Sequence, residues 1–178
     1  MALRYPELLA KVHRGLAERF GIEPDAKAAA DFGASVGNWP AFPDSPDALT
    51  RLKRRYRLIV LSNVDRRSFA ASNERLGVDF DLIVTAQDVG AYKPSPASFP
   101  ALLAAIPSIG VDRDELLHVA QSLYHDHEPA RAVGLPSVWI DRRHGQDGFG
   151  ATPAPRSIDD TWGWRFPSLA AFADAATR

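Results

Sequence analysis

Apolar positions recur at helical spacing from the start of the chain. Leu8, Leu9, Val12, Leu16 and Phe20 predict an amphipathic helix over 3–20, with Gly21 as its stop. Pro24-Asp25 opens a second helix over 25–32, and Gly33 follows it. The stretch Trp39-Pro40-Ala41-Phe42-Pro43-Asp44-Ser45-Pro46 is too proline-rich to stay helical and reads as a linker. Beyond it, short apolar runs alternate with amphipathic segments. The pattern predicts strands at 58–61, 82–85, 116–120 and 137–140. Between and around them it predicts helices at 47–55, 66–76, 96–105, 128–133 and 168–176. Repeated strand–helix units of this length predict an α/β fold, a Rossmann-like parallel sheet with helices on both faces. The glycine- and proline-rich segment 145–155 reads as a loop.

Composition narrows the picture only a little. The 178 residues suffice for one core plus a small appendage. A net charge of −1 and the absence of a basic patch argue against nucleic acid as a partner. No apolar run is long enough to cross a bilayer, and the N-terminal residues carry too many charges for a secretory leader. There are no cysteines, so thiolate chemistry is excluded. The expected setting is the cytoplasm and the expected ligand a small molecule.

In an open parallel sheet, ligands bind outside the carboxyl ends of the strands. Three groups of polar residues sit there. Ser62 and Asn63 follow the run Leu58-Ile59-Val60-Leu61. Their hydroxyl, amide and backbone N–H groups suit an anionic oxygen, although a Ser-Asn pair can equally cap the next helix. Lys93 lies in Tyr92-Lys93-Pro94, where it can neutralise developing negative charge or simply face solvent. His118-Val119-Ala120-Gln121-Ser122 leads to Asp126. That aspartate can accept hydrogen bonds from Lys93 and Ser122, help hold a cation, or serve the start of a helix.

In this order the three groups resemble the second, third and fourth motifs of the haloacid dehalogenase superfamily, closest to the 2-haloacid dehalogenase type. Val89-Gly90-Ala91-Tyr92-Lys93-Pro94 and Gly134-Leu135-Pro136 also look like that family. The resemblance implies a hydrolase of small anionic substrates, either 2-haloacids or small phosphate esters. It implies that Ser62, Asn63 and Ser122 bind the substrate, that Lys93 pairs with a nucleophilic aspartate, and that Asp126 positions the lysine or the attacking water. It further implies that residues 1–38 are part of a helical cap and that 39–178 form the α/β core.

Two departures qualify the activity. The family places its nucleophilic aspartate after a first strand, and no such segment precedes Ser62. Asp79-Phe80-Asp81 and Asp112-Arg113-Asp114 precede their strands instead. The chain is therefore expected to lack the central first strand, to be inactive as written, and to associate with other copies through unpaired edges. The second departure is Ala120-Gln121, where phosphatases of the superfamily carry Gly-Asp. A neutral glutamine is a poor magnesium ligand, so no cofactor is expected to be required and Mg2+ is disfavoured. The alternative is a non-catalytic relative that binds an anion or a partner protein.

Other clusters carry less. His125-Asp126-His127-Glu128 has metal-ligating residues, but neighbours on a helix point to different sides. Trp139, Trp162 and Trp164 read as packing residues, and Arg51 to Arg55 as a solvated basic face.

Overall fold

The computed structural model describes residues 2–148, 150, 152–155 and 162–178. Phe149 and Ala151, within the glycine-rich loop of 145–155, lie outside the described residues. Helix α1 (Tyr5–Arg19) starts with Pro6 in its first turn and a Glu7 carboxylate that accepts from the Arg4 N–H. Helix α2 (Ala26–Ala34) is capped by Asp25, which accepts from the Lys27 N–H at 2.8 Å. The two helices pack tightly because Gly33 has no side chain. A Cβ there would lie 2.5 Å from the Pro6 carbonyl oxygen.

The core is assembled from parallel strands. β1 (Ile59–Ser62) pairs with β2 (Leu82–Thr85), from Ile59 opposite Leu82 to Ser62 opposite Thr85. β3 (His118–Ala120) pairs with β4 (Ser137–Ile140), and β4 with β5 (Trp164–Phe166). Among the described residues no ladder joins β1 to β3, so there is a two-stranded sheet and a three-stranded one. β1 and β3 thus each keep one edge without a strand partner.

Two apolar clusters nevertheless bind these sheets together. In one, Phe99 and Leu102 of helix α6 (Ser98–Ala105) and Ala130 of helix α7 (Glu128–Ala132) pack with Ile59, Leu61 and Val84. In the other, Ala48 and Leu52 of helix α3 (Ser45–Lys53) and Phe172 of helix α8 (Leu169–Ala176) pack with Leu58, Val119, Val138 and Ile140. Leu58 on one side and Ile59 and Leu61 on the other follow the two-residue period of a strand. The clusters therefore cover opposite faces, with helices outside both. Fully burying a side chain such as Phe99 or Ile106 contributes about 2–3 kcal/mol.

Several expectations shift. β5 arises within a segment read only as a lead-in to the last helix, because Trp164 to Phe166 add to the β4 edge. Trp164 is exposed on that edge, not packed. Trp139 and Trp162 do pack, with ring centroids 4.5 Å apart. Leu9 is buried, while Val12 and Leu16 of the same helix stay exposed. The run Leu123–His127 forms a π-helical turn before α7, which the apolar pattern did not signal. Between β2 and α6 lies the short helix α5 (Ala86–Val89). No helix among the described residues is long and apolar enough to cross a membrane.

The segment entering α3 is tied to the end of the core. One oxygen of Asp44 accepts from the Leu169 and Ala170 N–H groups at the start of α8, and the other accepts from Arg142 at 2.8 Å. The Arg142 guanidinium also lies 3.9 Å from the centre of the Phe42 ring.

Candidate active site

Of the polar residues picked out at the strand ends, Asn63 and Asp126 meet at Lys93. Its ammonium donates to the Leu61 carbonyl at 2.7 Å and to Asp126 Oδ1 at 2.6 Å. That separation is well inside the range of about 6 Å over which opposite charges couple appreciably. The Leu61 carbonyl belongs to β1, and Asp126 lies in the turn after β3. The lysine therefore bridges the ends of the two sheets.

Asn63 fixes where that lysine starts from. Its side-chain oxygen accepts from the Lys93 N–H at 2.6 Å, and its amide nitrogen donates to the Lys93 carbonyl at 3.0 Å. Both polar atoms are engaged by one residue's backbone. Ser62 Oγ accepts from the Val64 N–H at 3.3 Å. Neither residue caps helix α4 (Arg66–Leu76). That cap is Asp65, which accepts from the Arg67 and Ser68 N–H groups and from the Ser68 hydroxyl. An aspartate two residues downstream outcompetes the Ser-Asn pair because it is placed to reach the N2 and N3 positions.

Ser122 caps the π-helical turn. Its Oγ accepts from the His125 N–H at 3.1 Å and lies 2.9 Å from His125 Nδ1. It does not reach the Asp126 carboxylate, as the sequence had allowed. The Asp126 N–H bonds to the Ser122 carbonyl instead. Asp126 has a second side-chain partner that sequence reasoning missed: His118 Nε2 lies 3.3 Å from the same Oδ1.

The side chains of Lys93, Asp126 and His118 are 10%, 11% and 12% exposed. Burial alone would raise the Asp126 pKa. The Lys93 charge and the His118 hydrogen bond more than offset it and hold the carboxyl well below the usual carboxylate range. Asp126 is therefore ionised in the folded protein at any ordinary pH.

His127 turns the other way. Its Nε2 lies 3.0 Å from the Ala120 carbonyl and its Nδ1 2.9 Å from Ser137 Oγ. A carbonyl can only accept, so the proton sits on Nε2. Burial pushes the His127 pKa down. The side chains of His125, Asp126 and His127 thus serve three separate sets of partners and do not converge on one point.

Aromatic side chains flank the lysine loop. Tyr5 has its ring 6.4 Å from both Trp39 and Tyr92. The Tyr92 hydroxyl donates to the Leu3 carbonyl at 2.7 Å. These contacts anchor α1 beside Lys93.

A family model for haloacid dehalogenase-like hydrolases matches residues 4–134. The (S)-2-haloacid dehalogenase of Pseudomonas sp. (strain YL) is 30% identical over 125 residues, which cover 68% of this chain and 52% of that protein. The phosphoserine phosphatase of Thermus thermophilus is 28% identical over 139 residues, covering 74% of this chain and 54% of that protein. The chain spans about half the length of these curated relatives. A solved L-2-haloacid dehalogenase from Xanthobacter autotrophicus superposes with a TM-score of 0.77 at 19% identity, covering 98% of this chain and 76% of that one. At that identity the likeness speaks for the fold. The motifs, the parallel α/β core and the family match agree: the chain belongs to the haloacid dehalogenase-like hydrolases.

Proposed function

We propose that these residues form the charge-neutralising and anion-binding half of a hydrolase site acting on small anionic substrates, either 2-haloacids or small phosphate esters. The observation that carries the reading is the buried Lys93–Asp126 pair at the strand ends. Among the described residues Lys93 has two acceptors, Leu61 O and Asp126 Oδ1. An ammonium has three donors, so one is left for a substrate oxygen or a nucleophilic carboxylate. Ser62, Asn63 and Ser122 line the same end. Asn63 contributes by holding the Lys93 backbone, and the Ser62 hydroxyl can still donate to an anion.

The covalent step needs a nucleophile. In this reading a carboxylate displaces the leaving group from carbon or phosphorus, and water then hydrolyses the ester and regenerates the carboxylate. A solved L-2-haloacid dehalogenase from Xanthobacter autotrophicus is described with chloropropionic acid covalently bound, which supports covalent chemistry on this fold. The carboxylate would arrive on a strand filling the unpaired edges of β1 and β3, and residues 1–38 would act as part of a cap. Residues 1–178 alone would then turn over nothing. Magnesium is disfavoured in this reading, because Gln121 is neutral and a poor ligand for it.

Both forms of the protein test this. Residues 1–178 should show no turnover of 2-haloacids or small phosphate esters. The same chain extended by an apolar strand ending in aspartate should show turnover that Lys93→Ala abolishes. Turnover by residues 1–178 that Lys93→Ala removes would place the nucleophile inside them and overturn the reading. Activity in neither form would favour a non-catalytic anion- or partner-binding role.

A further inference from the structure

His118 has no part in the reading above, yet its ring is built into the site. We propose that His118 is a positioning residue: by donating to Asp126 it fixes the carboxylate that in turn places the Lys93 ammonium. The inference rests on the proposed role of Lys93. It concerns where that cation sits, which can be read without any turnover.

The geometry is specific. The Asp126 carboxylate is ionised and can only accept, so the 3.3 Å contact from His118 Nε2 must be an N–H donated to Oδ1. Lys93 donates to that same atom at 2.6 Å. A lysine stem is long and freely rotating, and a carboxylate held only by the lysine would move with it. A second donor on the same oxygen removes that freedom. His118 itself is held by the β3 ladder, where it pairs with Ser137. Its ring is also packed edge-on against Phe99, with centroids 5.0 Å apart. Phe99 is buried in α6, so the imidazole rests on a rigid wall.

Asp126 lies on the site side of His118. The His127 ring is 6.2 Å away and is committed to Ala120 and Ser137. Phe99 packs against the imidazole edge-on. A histidine placed only for packing would need no polar contact, and a phenylalanine would serve as well against Phe99. Its cost would be one charge-assisted hydrogen bond lost from a buried carboxylate.

The test uses residues 1–178 and reads the lysine directly. The protein is labelled competitively with trace acetic anhydride, and the Lys93 rate is compared with that of Lys11 in the same sample by mass spectrometry. His118→Phe should raise the relative rate about threefold or more, because a lysine no longer held on a fixed carboxylate swings out to the reagent more often. His118→Gln keeps an N–H donor and should stay within about twofold of the unaltered protein. An unchanged rate in a folded His118→Phe variant would overturn the proposal, as would equal increases in both variants. If His118→Phe does not fold, the imidazole 15N spectrum of the unaltered chain decides. Nε2 must carry a proton coupled to it. A bare Nε2 with the proton only on Nδ1 would overturn the role.

Discussion

β1 and β4 are strands of similar length and similar apolar character, yet they live differently. β4 has a strand on each side, and three of its four residues are buried. Among the described residues β1 has a strand on one side only, and all four of its residues are half-exposed. β3 resembles β1, with three half-exposed residues. Helices cover both faces of all of them, so the difference comes from the edges. Faces packed by helices do not exclude water from a strand whose backbone edge is open. Among the described residues, the polar bridge from Leu61 through Lys93 to Asp126 spans that opening.

The largest effect should come from breaking that bridge. Lys93→Met removes the cation from the buried Asp126 carboxylate and should cost about 3–5 kcal/mol in urea unfolding. A loss under about 1 kcal/mol would mean that solvent enters along the open edges and screens the pair, as it does for surface ion pairs.

A pair of apolar truncations sharpens the comparison itself. Ile140→Ala in β4 should cost about 3 kcal/mol, within the range for deleting a well-packed isoleucine. Ile59→Ala in β1 should cost about 1 kcal/mol, because its side chain is already partly in water. Equal costs would show that β1 is as closed as β4. Hydrogen exchange gives the same contrast without mutation: some amides of β1 and β3 should exchange much faster than those of β4.

The smallest effect is on pH. The His127 pKa is lowered in the folded state by burial. The unfolded chain therefore binds a proton first as pH falls below about 6.5. Stability should be fully present above that value and decline through the weakly acid range. His127→Gln should flatten the decline in urea midpoints between pH 7.5 and 5.5. Asp126 acts further down. Its carboxyl is held low, so its contribution is present above about pH 4 and is lost only in strong acid.

Much of this was readable in the chain because it is local. Short apolar runs located β1, β2 and β4, and the helical period located the long helices. Asp65 and Gly77 bound α4 where the sequence placed it. The motif order brought Ser62, Lys93 and Asp126 to one end. What failed to show was non-local. Trp164 to Phe166 become a strand only because the β4 edge is available. The two-point grip of Asn63 on the Lys93 backbone joins residues 30 apart, and nothing near Asn63 announces it. His118 stood out only as a titratable side chain opening an otherwise apolar strand. That mismatch was the available signal, and its partner eight residues on could be known only once the π-helical turn was seen.

The tie between Asp44 and helix α8 has a consequence for the order of events in folding. The Leu58 N–H meets the Asp81 carboxylate across 23 residues, whereas the Leu169 N–H meets Asp44 across 125. Closing the longer loop from an unfolded chain costs about 1.5 kcal/mol more in chain entropy. The β1–β2 unit can therefore form early, while α3 waits with Ala48 and Leu52 uncovered. During synthesis that wait lasts until residues 169–176 have emerged. A pause or cleavage just before Ser168 would leave an apolar helix face and the β4 surface open together, a window in which aggregation competes with docking.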